Sequence, residues 1–273
     1  MIIFAHILFK RGVTKLSTEM KRINFCPVIA FTMVLVLSLS GCKKEDEYAI
    51  PMSDLENGII RIPCANGQTI EAVDLGIPFG TLWAKCNLGA KSPDQAGSFF
   101  AWGETSPKTE YTDNNYVFKD PEKKKKLNKY IPIVGEVNYD GKNVLEPQDD
   151  AATVILGSDW HIPTLKDFQD LLDCTEKTWC KLNGVWGFKF TSTRKGFEEN
   201  SIFISLAGCI DYEKHLFEDE YGLYWSSTVD KGEYECAKIL WMDNKNGKNV
   251  TVLNSIKDRY NGLPIRPVTT IER

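Results

Sequence analysis

The stretch Asp159-Trp160-His161-Ile162-Pro163-Thr164, continued by Leu165-Lys166-Asp167-Phe168-Gln169-Asp170-Leu171-Leu172-Asp173, decides how this chain folds. Pro163 biases the residue before it away from helix, so Ile162 is extended. Thr164 offers a hydroxyl to cap the next helix, and Asp167, three positions on, completes a capping box. Phe168, Leu171 and Leu172 then fall on one helical face. The segment predicts an extended piece, a corner and an amphipathic helix, with Trp160 held just before the corner.

Working outward, residues 150–157 predict a short helix stopped by Gly157. Upstream of it, residues 104–150 are polar and turn-rich, broken by Pro107, Pro121, Pro132 and Pro147. A loop that long is usually functional or disordered. Residues 58–63 predict an edge strand; residues 72–76, 82–90 and 99–103 predict further strands. Downstream, strands are predicted over 187–191, 201–209, 223–228, 235–242 and 263–268. The whole reads as an α+β fold of two helices and many short strands, without an internal repeat.

The front of the chain follows different rules. Lys21 and Arg22 precede an apolar run over 27–39. A cationic stretch and then a short apolar run is the anatomy of a secretory signal. The run falls short of the roughly 20 apolar residues a spanning helix needs. It ends in Leu39-Ser40-Gly41-Cys42, which resembles a bacterial lipobox. That resemblance implies that Cys42 becomes the mature N-terminus and carries acyl chains such as palmitate, each buried CH₂ contributing about 0.8 kcal/mol of anchoring. Met20-Lys21-Arg22 plus the run is a complete signal by itself, which makes Met20 a candidate true start. The expected organisation is a signal region over 1–41, a lipidated cysteine and tether over 42–70, and one domain over 71–273. Lys43-Lys44-Glu45-Asp46-Glu47 reads as a solvated tether. It also resembles the acidic tags that send some lipoproteins to the outer face of the outer membrane, so surface display is expected, with the periplasmic face as the alternative.

Residues 1–41 carry five basic residues and one acidic residue, and their removal takes the net charge from −4 to −8. An acidic exported chain argues against nucleic acid, which selects basic faces. The one basic run, Lys123-Lys124-Lys125-Lys126, reads as a solvated loop. All seven tryptophans follow Cys42. Cys64, Cys86, Cys174, Cys180, Cys209 and Cys236 also follow it, and export permits disulfides. Six cysteines allow 15 connectivities and sequence alone does not choose among them; Cys209 with Cys236 is one plausible pair, and Cys174 with Cys180 is another. No Cys-x-x-Cys spacing marks a zinc site.

Several short motifs then combine. They are Val73-Asp74-Leu75-Gly76, Trp83-Ala84-Lys85-Cys86-Asn87-Leu88-Gly89-Ala90, Phe100-Ala101-Trp102-Gly103-Glu104-Thr105 and Leu145-Glu146-Pro147-Gln148-Asp149-Asp150. The central Trp160-His161-Ile162-Pro163-Thr164, then Leu206-Ala207-Gly208, Tyr224-Trp225-Ser226-Ser227-Thr228 and Ile265-Arg266-Pro267-Val268, complete the set. Over residues 73–268 the chain resembles the Fibrobacter succinogenes major paralogous domain family, found in exported bacterial lipoproteins; His161 stands where that family usually has arginine. The resemblance implies a C-type-lectin-like fold: two helices packed on small antiparallel sheets, first and last strands close together, and a long loop region presenting a binding face.

Chemistry is sparse. Glu146-Pro147-Gln148 and Trp241-Met242-Asp243 only partly match the calcium loops of sugar-binding lectins, and Met242 offers no oxygen to a hard cation. Glu146, Asp149 and Asp150 read as a helix-capping cluster. His161 and His215 lack a nucleophile partner, so no enzyme, metal or cofactor is implied. Trp241, Asp243, Asn244, Asn246, Arg259 and Tyr260 form the expected ligand surface, since aromatic and amide side chains suit glycan or protein recognition. The expected function is a lipid-anchored envelope protein that binds an unknown glycan or protein, its membrane contact made through Cys42. The alternatives are a structural or adhesive subunit of a cell-surface assembly and, less well supported by the residues, an enzyme.

Overall fold

The computed structural model describes residues 47–119, 126–244, 249–252 and 255–272. The expected signal region, Cys42 and Asn246 lie outside the described residues. In chain order, the first strands are β1 (Ala49–Ile50), β2 (Ile59–Pro63), β3 (Thr69–Asp74), β4 (Thr81–Ala84) and β5 (Phe99–Phe100). Helix α1 (Ala151–Leu156), β6 (Trp160–His161) and helix α2 (Leu165–Cys174) follow. Then come β7 (Thr175–Leu182), β8 (Val185–Ser192), β9 (Ser201–Ser205), β10 (Cys209–Asp211) and β11 (Lys214–Leu216). The last are β12 (Tyr221–Val229), β13 (Cys236–Asp243), β14 (Val250–Thr251), β15 (Ser255–Lys257), β16 (Leu263–Pro264) and β17 (Val268–Thr270). Among the described residues the fold is β-rich with two α-helices.

The central stretch behaves as its residues demand. The Thr164 hydroxyl accepts the Asp167 N–H at 3.1 Å, and the Asp167 carboxylate accepts the Thr164 N–H at 2.8 Å, closing the capping box. Phe168 and Leu171 are buried, while Leu172 packs half-buried beside them. Trp160 and His161 pair with Thr269 and Val268, so the stretch forms one edge of a five-stranded sheet ordered β2-β3-β4-β17-β6. The last strand thus lies between the first strands and the corner. Asp150 binds two levels together: one carboxylate oxygen caps α1 at the Thr153 N–H (3.0 Å), and the other accepts the Ile162 N–H (2.8 Å).

Two four-stranded sheets, β1-β7-β8-β9 and β12-β13-β14 with β15 also on β13, and the two-stranded sheets β10-β11 and β16-β5 complete the frame among the described residues. Alternation sends side chains to opposite faces of a strand, and here both faces are covered. Ala72, Leu82, Ala84, Trp225 and Ile239 join one apolar cluster around Trp102 and Trp160. Val73, Trp83, Tyr224, Leu240 and Met242 join a second around Phe168 and Phe188.

Three expectations are corrected. Residues 47–70 are not a tether. β1 pairs in parallel with β7, β2 pairs with β3, and Leu55 is buried with Cys180, Leu182 and Phe203. Leu55, Ile59, Ile60 and Ile62 hold too much apolar surface to stay in water. The compact unit runs from Lys44 to Arg273, and its described residues form three apolar clusters. Second, the candidate cysteine pairs are not bonded to one another in this structure. Cys209 is a buried thiol in β10, which pairs with β11, while the Cys236 sulfur in β13 donates to Glu233 at 3.5 Å. Cys174 and Cys180 are separate buried thiols, one ending α2 and the other facing Leu182 and Phe203. Burial pushes the Cys180 and Cys209 thiols up to about 11. Third, the 104–150 region holds no α-helix or strand among its described residues, yet Tyr116, Phe118, Tyr130 and Ile131 are buried. It folds around an aromatic interior, in which Tyr130 meets Trp102 edge-on at 5.1 Å and Phe118 at 5.3 Å.

Candidate functional site

The expected ligand surface separates into two places. Arg259 and Tyr260 follow β15, which pairs with the Cys236–Lys238 end of β13, whereas Trp241, Asp243 and Asn244 lie at the other end. At about 3.4 Å per residue the two ends are roughly 17 Å apart. Arg259 is only 1% exposed. Its guanidinium lies 4.8 Å from the Trp102 ring and donates to the Lys129 carbonyl at 3.3 Å. Tyr260 is half-buried, and burial with the nearby Asp258 charge pushes its hydroxyl up to about 12. Asn244 spends its amide on the Asp219 carbonyl at 2.7 Å. What remains is an aromatic ladder: Phe217 meets Tyr221 edge-on at 5.4 Å, and Tyr221 meets Trp241 at 5.0 Å. The Trp241 indole donates to Asp243 at 3.3 Å. Phe217 is exposed and the other two rings are half-buried, because here the first apolar cluster reaches the protein surface.

A larger concavity lies elsewhere, a groove of about 790 Å³ beside β3 and β4. Ligand clefts commonly fall between about 300 and 1,000 Å³. Ile70, Ala84, Leu88 and Leu156 give it an apolar lining, and Asn66, Gln68, Arg61 and Lys91 add polar groups. The β2–β3 turn is fixed in place by its own side chains. Asn66 donates to the Ile155 carbonyl at 2.9 Å and accepts the Gln68 N–H at 3.0 Å. One wall is therefore tied to α1.

Charge in the groove is organised by Glu71, which accepts from Arg61 at 2.7 Å and from Lys85 at 3.3 Å. Lys85 also meets Glu56 at 2.8 Å. Burial disfavours the Glu71 carboxylate, but Lys85 and Arg61 outweigh it and hold its pKa below the ordinary value. Burial likewise works against the Lys85 ammonium, and Glu56 and Glu71 more than compensate. Cys86 lines the same groove, and burial pushes its thiol up despite the neighbouring cations. A thiol held protonated is a poor nucleophile.

The two described histidines, His161 and His215, are engaged within the fold. His161 Nε2 lies 3.7 Å from Asp167, in the capping box. His215 Nε2 meets the Ala207 carbonyl at 2.7 Å, and its ring packs edge-on to Phe99. Asp150 caps α1, whereas Glu146 and Asp149 bind Lys129 rather than a helix end. Lys129 and Lys142 hold the Glu146 carboxyl down to about 2. Among the described residues no group of three or more His, Cys, Asp and Glu side chains is placed to hold a metal ion.

Sequence reasoning missed Asn66, Gln68, Thr69 and Arg61, because it assigned residues 42–70 to a tether. The usable signal was Asn66-Gly67, a turn pair between two β-branched segments. No protein-family model, curated protein or solved structure matches the chain.

Proposed function

We propose that the chain is a lipid-anchored cell-envelope protein with a C-type-lectin-like fold that binds a glycan or protein ligand without transforming it. The observation that carries this reading is the groove of about 790 Å³, with its apolar lining, fixed turn amides and Glu71-centred cations. The aromatic ladder at Trp241 is the second contact surface of the same reading. Attachment through Cys42 and display on the outer surface belong to this proposal, on the strength of the lipobox and the acidic residues after it.

The test uses the unit from Lys44 onward, screened on arrays of glycans and surface proteins with and without calcium. Gln68→Ala with Lys91→Ala disarms the groove, and Trp241→Ala with Phe217→Ala disarms the ladder. A specific hit lost in one pair and kept in the other assigns the ligand to that surface. A hit indifferent to both pairs, or no hit from folded protein, removes the binding reading and favours the assembly-subunit alternative.

A further inference from the structure

In the groove beside β3 and β4 the side-chain oxygens are already engaged. Asn66 Oδ1 accepts the Gln68 N–H at 3.0 Å, and Gln68 Oε1 accepts the Asn66 amide at 3.3 Å. Glu71 Oε1 accepts from Arg61 at 2.7 Å, and its Oε2 accepts from Lys85 at 3.3 Å. Asn87 Oδ1 accepts the Arg266 Nε–H at 2.7 Å. Asn66, Gln68, Glu71 and Asn87 carry every amide and carboxylate oxygen that lines the groove among the described residues.

The groups left over are donors. The Gln68 amide nitrogen and the Lys91 ammonium have no hydrogen-bond or ion-pair partner among the described residues, and both residues are exposed. Arg61 meets Glu71 through Nη2 alone, and its side chain is 72% exposed, so Nε and Nη1 remain for a ligand. Neither a guanidinium nor an ammonium can accept a hydrogen bond. Charge points the same way. Arg61, Lys85 and Lys91 line the groove against one carboxylate, Glu71, in a chain of net charge −4. Free donors with surplus positive charge are complementary to an acceptor-rich anion. Size then selects among anions. A protein partner covers roughly 800 Å² on each side, whereas a hollow of about 790 Å³ has the dimensions of a small-ligand cleft.

We propose that the groove takes an acidic saccharide, its carboxylate held by Arg61 and Lys91 and its hydroxyl oxygens by the Gln68 amide and the Thr69 hydroxyl. Hydrogen bonds to a charged acceptor are the stronger kind, so the carboxylate sets affinity and the hydroxyls set orientation. Ile70, Leu88 and Leu156 offer apolar surface to the C–H face of a sugar ring. A neutral sugar would leave the cations without an anion. This selectivity rests on the groove-binding reading and narrows it from a glycan or protein to sugars that carry a carboxylate.

The experiment is calorimetric titration of the full chain, in detergent, with oligogalacturonate, oligoalginate and sialyllactose, each beside its methyl ester. The ester keeps the sugar and removes the charge. The expected result is that one or more of the acids binds, roughly tenfold tighter than its ester. Added salt should weaken that binding, as it does for exposed charges. Gln68→Glu and Lys91→Gln should each lower the affinity roughly tenfold. Their melting temperatures should stay close to that of the wild type, because both side chains are exposed. Lys91→Arg keeps the charge and should keep the binding. Lys231→Ala, which removes an exposed lysine outside the groove's lining, leaves it unchanged. Equal affinity for acid and ester overturns the proposal. So does acid binding indifferent to Gln68→Glu and Lys91→Gln, or no binding of any acid by folded protein. The groove-binding reading fails separately. A neutral glycan or a protein that is lost in Gln68→Ala with Lys91→Ala keeps the groove as a binding site and sinks only the acidic-sugar class. An array on which no hit responds to that pair sinks both.

Discussion

Two arginines seven residues apart in the chain sit in the interior under opposite terms. Around Arg266, 0% exposed, the protein supplies four acceptors: Asn87 Oδ1 at 2.7 Å and the carbonyls of Ala84 (3.1 Å), Lys85 (2.7 Å) and Phe203 (2.9 Å). Asn87 in turn donates to the carbonyls of Gln95 and Ala96 and to the Tyr224 hydroxyl, which donates to the Ser205 carbonyl. Around Arg259 the protein supplies one carbonyl and the face of Trp102, and Nε and Nη1 have no hydrogen-bond partner. Burial disfavours the cation at both positions. The difference separates a fastening from a filler. Arg266 joins β4, β9 and the approach to β17, whereas Arg259 mainly supports a ring. Each contributes a residue that sequence reading marked, one as a family motif and one as a ligand contact, and in the fold both face inward.

The comparison is open to direct attack. Arg266→Leu strands three carbonyls and an amide oxygen in the interior, and should cost about 4 kcal/mol or more in urea unfolding, with Arg266→Lys restoring little because it lacks the planar fork. A loss under about 1 kcal/mol would show that the network is ornamental to stability. Asp150→Ala removes both the α1 cap and the acceptor for the Ile162 N–H, for about 2 kcal/mol. Asp150→Asn should recover part of it, having one acceptor oxygen left.

Arg259→Met should cost about 1 kcal/mol or less, because an under-bonded buried cation gives back its desolvation when it is replaced by an apolar chain of similar length. A cost equal to that of Arg266→Leu would erase the distinction. A cavity of about 20 Å³ borders Arg259, Tyr116 and Tyr260. That is room for one water, and a high-resolution structure should show it bonded to Nε or Nη1.

The smallest effect belongs to Asp167. Burial pushes its carboxyl up, but bonds from His161 and Thr164 outweigh it, so its folded pKa lies below the unfolded value. A depressed folded pKa means stability present above the unfolded pKa of about 3.9 and lost as pH falls through the folded one. The melting temperature should therefore decline at acid pH, and the decline should shrink in Asp167→Asn. An identical acid profile in that variant would remove Asp167 as a contributor.

Much of the architecture was open to reading in one dimension, and the misses share a cause. The Thr164–Asp167 box and the Asp150 cap depend on neighbours three residues away, so spacing alone reveals them. The strand β7 escaped because Glu176, Lys177, Thr178 and Lys181 break the apolar pattern; the strand is held by pairing to β8 along its whole length. Residues 47–55 escaped because their partners, β7 and Phe203, lie more than a hundred positions downstream. The groove was invisible for the same reason, since it needs the β2–β3 turn and α1 side by side.

The sequence by itself determined what is local: the acidic balance, the corner at Pro163, and, among the described residues, two helices and most strands. Tertiary structure alone decided which marked residues face inward. Arg259 and Arg266 look alike as letters, and both resemble surface residues by charge. Only the placement of β4, β9 and Trp102 around them determines how many hydrogen bonds each can make, and burial is a property of neighbours that the chain brings together from far apart.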